Sequence, residues 1–162
     1  MFRSIAVVLF AALPLLQLTC AIDISHYKNV QLEFHEKDGV SRTKLLGSNP
    51  EERGPGFIGD LTIGQRYADE TIFRRVIEFE NPTGTVQGTT LSLSISNGVI
   101  HYISARNSQG SYAVICDNPN ALGESRSSIN LRVPPNSTAM ISLIIAAHGQ
   151  VHRKSNSYMI MD

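Results

Sequence analysis

The sequence is poor in cysteine, and this excludes a fold that is built on disulfides. It contains two cysteines, Cys20 and Cys116. If Cys20 is removed with an N-terminal leader, Cys116 is left alone, and a single cysteine cannot form an intramolecular bridge. Cys116 ends an apolar run, which favours a buried thiol over an exposed thiol that pairs between chains. Cleavage before Cys20 would still allow a Cys20–Cys116 bridge.

The sequence also lacks an excess of charge. Lysine and arginine together number 14, and so do aspartate and glutamate. Binding to nucleic acid or to an anionic membrane surface needs a basic patch that this composition does not supply. We therefore expect a protein or a small molecule as the partner, with no nucleic acid, and no motif indicates a cofactor.

Long apolar runs are absent apart from one at the N-terminus. Residues 1–21 combine Arg3, an apolar stretch from Ile5 to Leu18, and small residues at Thr19 and Ala21. This layout is typical of a secretory signal peptide, and the stretch is shorter than the roughly 20 apolar residues that span a bilayer. We expect cleavage after Ala21, a secreted extracellular product, and no membrane span once the leader is removed.

The apolar residues also lack the spacing of an amphipathic helix. They recur at every second position instead. Leu91, Leu93 and Ile95 alternate with serines, and the run from Met140 to Ala147 is apolar on both faces except at Ser142. Alternation is typical of half-buried strands, and the double-sided run indicates a central strand. With turn clusters between the runs, the sequence predicts an all-β fold, a small antiparallel β-sandwich or flattened barrel of about 6–8 strands.

Four segments follow from this pattern. Residues 1–21 form the signal peptide, and residues 22–56 form a polar arm with one candidate strand, where Val30, Leu32 and Phe34 alternate with polar residues. Residues 57–149 form the β-sandwich domain, and residues 150–162 form a polar C-terminal tail.

The pair Asn97–Gly98 predicts a two-residue β-hairpin with a type I′ turn. The register of that hairpin places Ser94 opposite His101. It also gives the paired strands one wholly apolar face, made of Leu91, Leu93, Ile95, Ile100 and Tyr102.

Ser94 and His101 are interpreted as a structural pair and not as a catalytic dyad. No carboxylate lies near them on the predicted face, and the sequence has no Gly-x-Ser-x-Gly elbow. His148 and His152 are four residues apart, but that spacing forms a metal site only on a helix. We interpret them as exposed tail residues, and we expect neither an enzyme nor a metal site.

One glycosylation sequon, Asn136-Ser137-Thr138, falls in a predicted turn. A turn of a secreted protein is the setting that N-glycosylation requires, so Asn136 is a candidate glycosylation site.

Three stretches resemble a known family. The stretch "IGQRYADETIFRRVIEF" carries Gly64, Arg66 and Asp69, "VIHYISARNSQGSYAVI" carries Tyr102, and "AMISLIIAAHG" ends at Gly149. This pattern is similar to the insect multiprotein-bridging-factor-two family, many of whose members are described as salivary secreted peptides. The likeness covers about residues 58–149, and Ala68 stands where the family motif has a glycine.

The resemblance implies turn and packing roles for these residues, with Arg66 and Asp69 as a structural ion pair near a strand end, and no catalytic residue. The family also implies two functions, a secreted protein and a transcriptional co-activator that bridges a DNA-bound regulator to the general transcription machinery. Because the chain carries an export signal, we expect a secreted non-enzymatic protein that acts through its surface. The co-activator and a small-ligand carrier are the alternatives.

Overall fold

The computed structural model describes residues 21–42, 59–119 and 121–149. These residues form ten strands and one short 3₁₀-helix, Glu36–Asp38. The strands in chain order are β1 (Ile22–Asp23), β2 (Asn29–Phe34), β3 (Val40–Ser41), β4 (Leu61–Gly64), β5 (Thr71–Asn81), β6 (Gln87–Ile95), β7 (Val99–Asn107), β8 (Val114–Asp117), β9 (Arg126–Val133) and β10 (Ser137–His148).

The strands form two open sheets. This confirms the predicted all-β sandwich, and the sheets do not close into a barrel. The larger sheet has the order β1-β5-β10-β7-β4, with β3 also paired to β5, and the smaller sheet has the order β2-β6-β9-β8. Most pairings are antiparallel, but β1 runs parallel to β5 and β2 runs parallel to β6. The predicted central strand is confirmed, since β10 lies between β5 and β7.

The segment predicted to be a polar arm contributes to both sheets. Its candidate strand is observed as β2, and Leu32 and Phe34 on that strand are buried in the core. Ile24 is buried there too, while β1 and β3 extend the larger sheet. The predicted boundary at residue 57 therefore does not separate an arm from the sandwich. The apolar side chains on both sides of it are removed from water by burial in the same core.

Alternating side chains from the two sheets meet in one apolar core. Leu91, Leu93 and Ile95 point into it from β6, as predicted, and Ile141, Leu143 and Ile145 meet them from β10. Burying one such side chain contributes about 1.5–3 kcal/mol.

The predicted β6–β7 hairpin is wrong, because the two strands belong to different sheets. β6 pairs with β2 and β9, whereas β7 pairs with β4 and β10. A type I′ turn needs a positive φ at Asn97, and among the described residues Asn136 is the only non-glycine with one. The chain crosses between the sheets here, so the apolar sides of β6 and β7 face each other through the core. Ser94 pairs with Arg126 and Glu33, not with His101.

The predicted face of Tyr102 is also wrong, because β7 contains a bulge. Ala146 pairs with Tyr102 and Ala147 pairs with Ile100, which leaves His101 as an extra residue. A bulge shifts the alternation by one residue. Ile100 therefore faces the core, while Tyr102 packs on the outer face of the larger sheet in a second cluster with Ile72, Ile144 and Ala146.

Cys116 is exposed, which corrects the predicted buried thiol. It lies on β8, where Ile115 faces the core and its neighbours Val114 and Cys116 face water. β8 is an edge strand that meets β4, on the side of the sandwich opposite β1. Cys20 lies outside the described residues.

Candidate functional site

Five polar and aromatic side chains meet at one end of the larger sheet. We call them the histidine cluster: Tyr67, Asp69, Glu70, His101 and His148. Tyr67, Asp69 and Glu70 come from the connection between β4 and β5, His101 is the bulged residue of β7, and His148 is the last residue of β10. The cluster therefore lies where three neighbouring segments of this sheet end or bend.

Gly64 permits the close approach on which the cluster depends. Its φ is +87°, and an added Cβ would lie 2.0 Å from the carbonyl oxygen of His101. Any side chain would push β4 away from β7 at this point. The next residue, Gln65, donates its backbone N–H to that same carbonyl. Gly64 thus ties the β4–β5 connection to the bulge.

Glu70 is the anchor of the cluster and is fully buried. One carboxylate oxygen accepts a hydrogen bond from Nε of Arg66 and lies 3.5 Å from Nη1 of Arg42. The other accepts the backbone N–H of Tyr67 at 2.7 Å. A buried charge persists only when it is paired and hydrogen-bonded. These contacts meet that requirement and fix the β4–β5 connection.

His101 donates a hydrogen bond from Nδ1 to the backbone of the β4–β5 connection. Nδ1 lies 2.8 Å from the carbonyl oxygen of Gln65, and a carbonyl can only accept, so Nδ1 is the donor. Nε2 is buried, 3.7 Å from a carboxylate oxygen of Glu70. Burial lowers the pKa of His101, and the charges of His148 and Arg66 act in the same direction. The Gln65 carbonyl and Glu70 oppose this shift without reversing it.

His148 completes the outer side of the cluster. Its Nε2 lies 2.9 Å from Asp69 Oδ1, and its ring lies 4.4 Å from the ring of His101. The Tyr67 ring meets both imidazoles nearly edge-on, at 4.9 and 5.0 Å. The hydrogen bond from His148 lowers the pKa of Asp69. Two rings and a carboxylate are thereby held in fixed positions at the surface.

Several residues of the sequence motifs meet here, although not in the predicted pairing. The predicted Arg66–Asp69 ion pair is wrong, since Arg66 pairs with Glu70 and Asp69 pairs with His148. The Arg66 guanidinium also lies 4.9 Å from the centre of the Tyr102 ring, a cation–π contact. Gly149 follows directly on His148, and a Cβ added there would meet no atom within 4 Å.

His148 is not an exposed tail residue as predicted, because it belongs to β10 and stacks on His101. His152 and the rest of the predicted tail, residues 150–162, lie outside the described residues, as does the leader up to residue 20.

Asn136 lies far from the histidine cluster, in the turn between β9 and β10. It is exposed, with a φ of 50°, and its backbone N–H donates to Thr83. Since β10 begins at Ser137 and ends at His148, the strand separates the two sites by roughly 35 Å.

Sequence reasoning missed Glu70, the residue on which the site depends. A charged residue in a polar stretch is normally solvated, and nothing in the stretch marks this one as buried. The nearest signal is the arginine four residues before it, but that spacing pairs side chains regularly only on a helix. The fold, not local spacing, brings Arg42 and Arg66 to the same carboxylate.

The chemistry that this arrangement supports is recognition by stacking and hydrogen bonding. Among the residues that the structure describes, neither imidazole has a hydroxyl or thiol as a hydrogen-bond partner. Within those same ranges, no group of three or more metal-binding side chains has the geometry to hold an ion. What remains available at the surface is an aromatic ring, an imidazole and a carboxylate.

No protein-family model, curated protein or solved structure matches the chain. The family resemblance thus rests on the sequence motifs alone. Within residues 21–42, 59–119 and 121–149, no helix has the length and apolarity to cross a membrane.

Proposed function

We propose that this is a secreted, non-enzymatic β-sandwich protein that acts outside the cell through surface contacts, and that the exposed rim of the histidine cluster is its contact surface. The N-terminal leader layout supports export. The composition of the rim, Tyr67, Asp69 and His148, supports recognition.

The observation that carries the proposal is an exposed aromatic ring on a rigid support. Tyr67 is 45% exposed, although its backbone is fixed by the buried Glu70 and its ring rests against two imidazoles. Aromatic residues are enriched at protein interfaces, and a preordered side chain loses little entropy on binding. An exposed tyrosine held in this way is suited to anchor a partner.

Export is tested by expressing the full-length chain in insect cells and sequencing the N-terminus of the protein in the medium. We expect a protein that begins at Ile22. Protein that stays in the nucleus with Met1 intact would contradict the proposal and favour the co-activator alternative.

The contact surface is tested by chemical cross-linking of the exported protein in the extracellular fluid where it occurs. The variants are Tyr67→Ala and, as a matched control, Tyr27→Ala, which removes a more exposed tyrosine ring outside the cluster. We expect one cross-linked species to be retained in the control and reduced at least tenfold in Tyr67→Ala. Equal yields from both variants would exclude the cluster as the contact surface.

Glycosylation at Asn136 forms part of the same proposal. The side chain lies on an exposed turn, where a glycosyltransferase can reach it. We expect glycosidase treatment to lower the mass of the exported protein and to leave Asn136→Gln unchanged. An exported wild-type protein without this mass difference would contradict the assignment.

A further inference from the structure

A second surface feature, on the outer face of the smaller sheet, forms a polar groove of about 480 Å³. We call it the serine groove. Its floor comes from outward-facing residues of β2, β6 and β9, and its wall comes from the segment after β8. The polar side chains of the floor and wall are Ser92, Ser94, Arg126, Ser128 and Asn118.

Strand register sets the spacing of the polar groups on the floor. Ser92 pairs with Ser128, and in the next outward-facing row Ser94 pairs with Arg126. Neighbouring strands lie about 4.8 Å apart, and alternate residues along a strand lie about 6.7 Å apart. The floor is therefore a regular grid of hydrogen-bonding groups.

The wall of the groove is fixed by side-chain hydrogen bonds. Asn118 donates through Nδ2 to the Ser128 hydroxyl at 2.6 Å, and its Oδ1 accepts from Asn130 Nδ2 at 2.6 Å. Thr90 in turn donates to Asn130 at 3.0 Å. Because the wall is tied to β9 at two residues, the groove is preorganised and needs little ordering when a ligand binds.

Polar groups at the floor are left available. In the described part of the chain, the hydroxyls of Ser92 and Ser94 and the guanidinium of Arg126 have no side-chain partner. Ser127 pairs with the core residue Leu93, so its buried hydroxyl is on the inner side of the sheet and takes no part in the groove. The Ser92 and Ser94 hydroxyls and the Arg126 guanidinium can therefore form hydrogen bonds with a ligand.

The charge and hydrogen-bonding capacity of the lining identify the ligand class. Among the described residues that line the groove, Arg126 has the one charged side chain. A guanidinium matches a carboxylate through two parallel hydrogen bonds. Serine hydroxyls and carboxamides both donate and accept, as sugar hydroxyls do. We infer that the serine groove binds a short saccharide that carries a carboxylate, with Arg126 on the carboxylate and the serines on the hydroxyls.

This inference rests on the proposed extracellular role for its source of acidic saccharides, but its test does not depend on export. The full-length chain is expressed with ¹⁵N labelling, purified from whichever fraction contains it, and titrated with methyl β-glucuronide or methyl β-glucoside. The two probes differ only in one group: the glucuronide carries a carboxylate where the glucoside carries a hydroxymethyl group. The titrations are run at about 0.15 M salt, so that long-range charge attraction is screened.

We expect saturable backbone amide shifts at Ser92, Ser94 and residues 126–128, with at least tenfold tighter binding of the glucuronide. Arg126→Gln should abolish the preference for the glucuronide and retain the wild-type amide spectrum elsewhere. The matched control is Arg132→Gln, because Arg132 is exposed on the same strand but lies outside the groove. This variant should keep the preference for the glucuronide. Absence of saturable shifts at the groove, equal affinity for both probes, or a preference that survives Arg126→Gln would overturn the inference.

Discussion

The core of the sandwich and Glu70, at the base of the histidine cluster, are both shielded from water, but different forces stabilise them. In the core, side chains such as Leu93 and Ile145 are buried by their own apolarity and make contacts that do not depend on protonation. In the cluster, Glu70 is just as buried, and its charge is compensated by Arg66, Arg42 and a backbone N–H. The core should therefore tolerate changes of pH, while the cluster should depend on the charge of each member.

The largest difference should come from Glu70→Ala. The substitution leaves the arginines without their buried counter-charge and the Tyr67 N–H without its acceptor. We expect a loss of about 3–5 kcal/mol in the free energy of unfolding, measured by urea denaturation. Glu70→Gln keeps an acceptor oxygen and should lose less. A loss below about 1 kcal/mol in Glu70→Ala would show that the carboxylate does not anchor the cluster.

Leu93→Ala tests the core side of the comparison. The leucine is buried at the centre of the sandwich, and its truncation leaves a cavity. We expect a loss of about 2–5 kcal/mol that is the same at pH 7.5 and pH 5.5. Its neighbour Ser94 points outward, so Ser94→Ala should cost less than about 0.5 kcal/mol. Comparable losses from the two variants would mean that the strand faces are assigned wrongly.

Acidification should weaken the cluster and not the core. Because burial lowers the pKa of His101 below 6.5, the unfolded chain binds a proton at this residue before the folded chain does. Stability contributed by neutral His101 is therefore present above about pH 6.5 and is lost as the pH falls below it, by at most about 1.4 kcal/mol per pH unit. Asp23, Asp38 and Asp69 have pKa values lowered from 3.8, so their contributions are lost only at more acidic pH.

The measurement is urea unfolding of the wild type, His101→Asn and His26→Asn between pH 7.5 and 5.5. Asparagine can keep a donor near the Gln65 carbonyl but does not titrate. We expect His101→Asn to show a shallower pH dependence than the wild type. His26 is exposed, so its variant should follow the wild type. An unchanged slope in His101→Asn would contradict the assignment.

The smallest expected effect concerns Cys116, which belongs to neither region. Because the thiol is exposed on an edge strand, a thiol reagent should label it fully in the folded protein. Cys116→Ser should change the free energy of unfolding by less than about 0.5 kcal/mol. Labelling that occurs only after denaturation would restore the buried thiol that the sequence predicts.

The two regions also differ in how far the sequence predicts them. Alternation of apolar and polar residues identifies the inward side of β6 and the central position of β10, because core burial follows a period of two. It fails at Tyr102, since one extra residue in β7 shifts the alternation. The apolar run that ends at Cys116 predicts a buried thiol, but the alternation along β8 buries Ile115 instead.

The hairpin and the cluster could not be predicted because both depend on contacts between distant residues. An Asn-Gly pair favours a tight turn locally, but β6 pairs with β2 and β9 and β7 pairs with β4 and β10, all of which are distant in sequence. Glu70 lies far from Arg42 and His101 along the chain, and only the completed sheet brings them together.

The most direct test of this account is a nuclear Overhauser measurement on the ring protons of His101 at pH 7.5. If β7 lies in the larger sheet with His101 in its bulge, the ring protons should show contacts to the rings of His148 and Tyr67, whose centres lie 4.4 and 4.9 Å away. Contacts from His101 to Ser94, without contacts to His148, would restore the hairpin and contradict both the fold and the site.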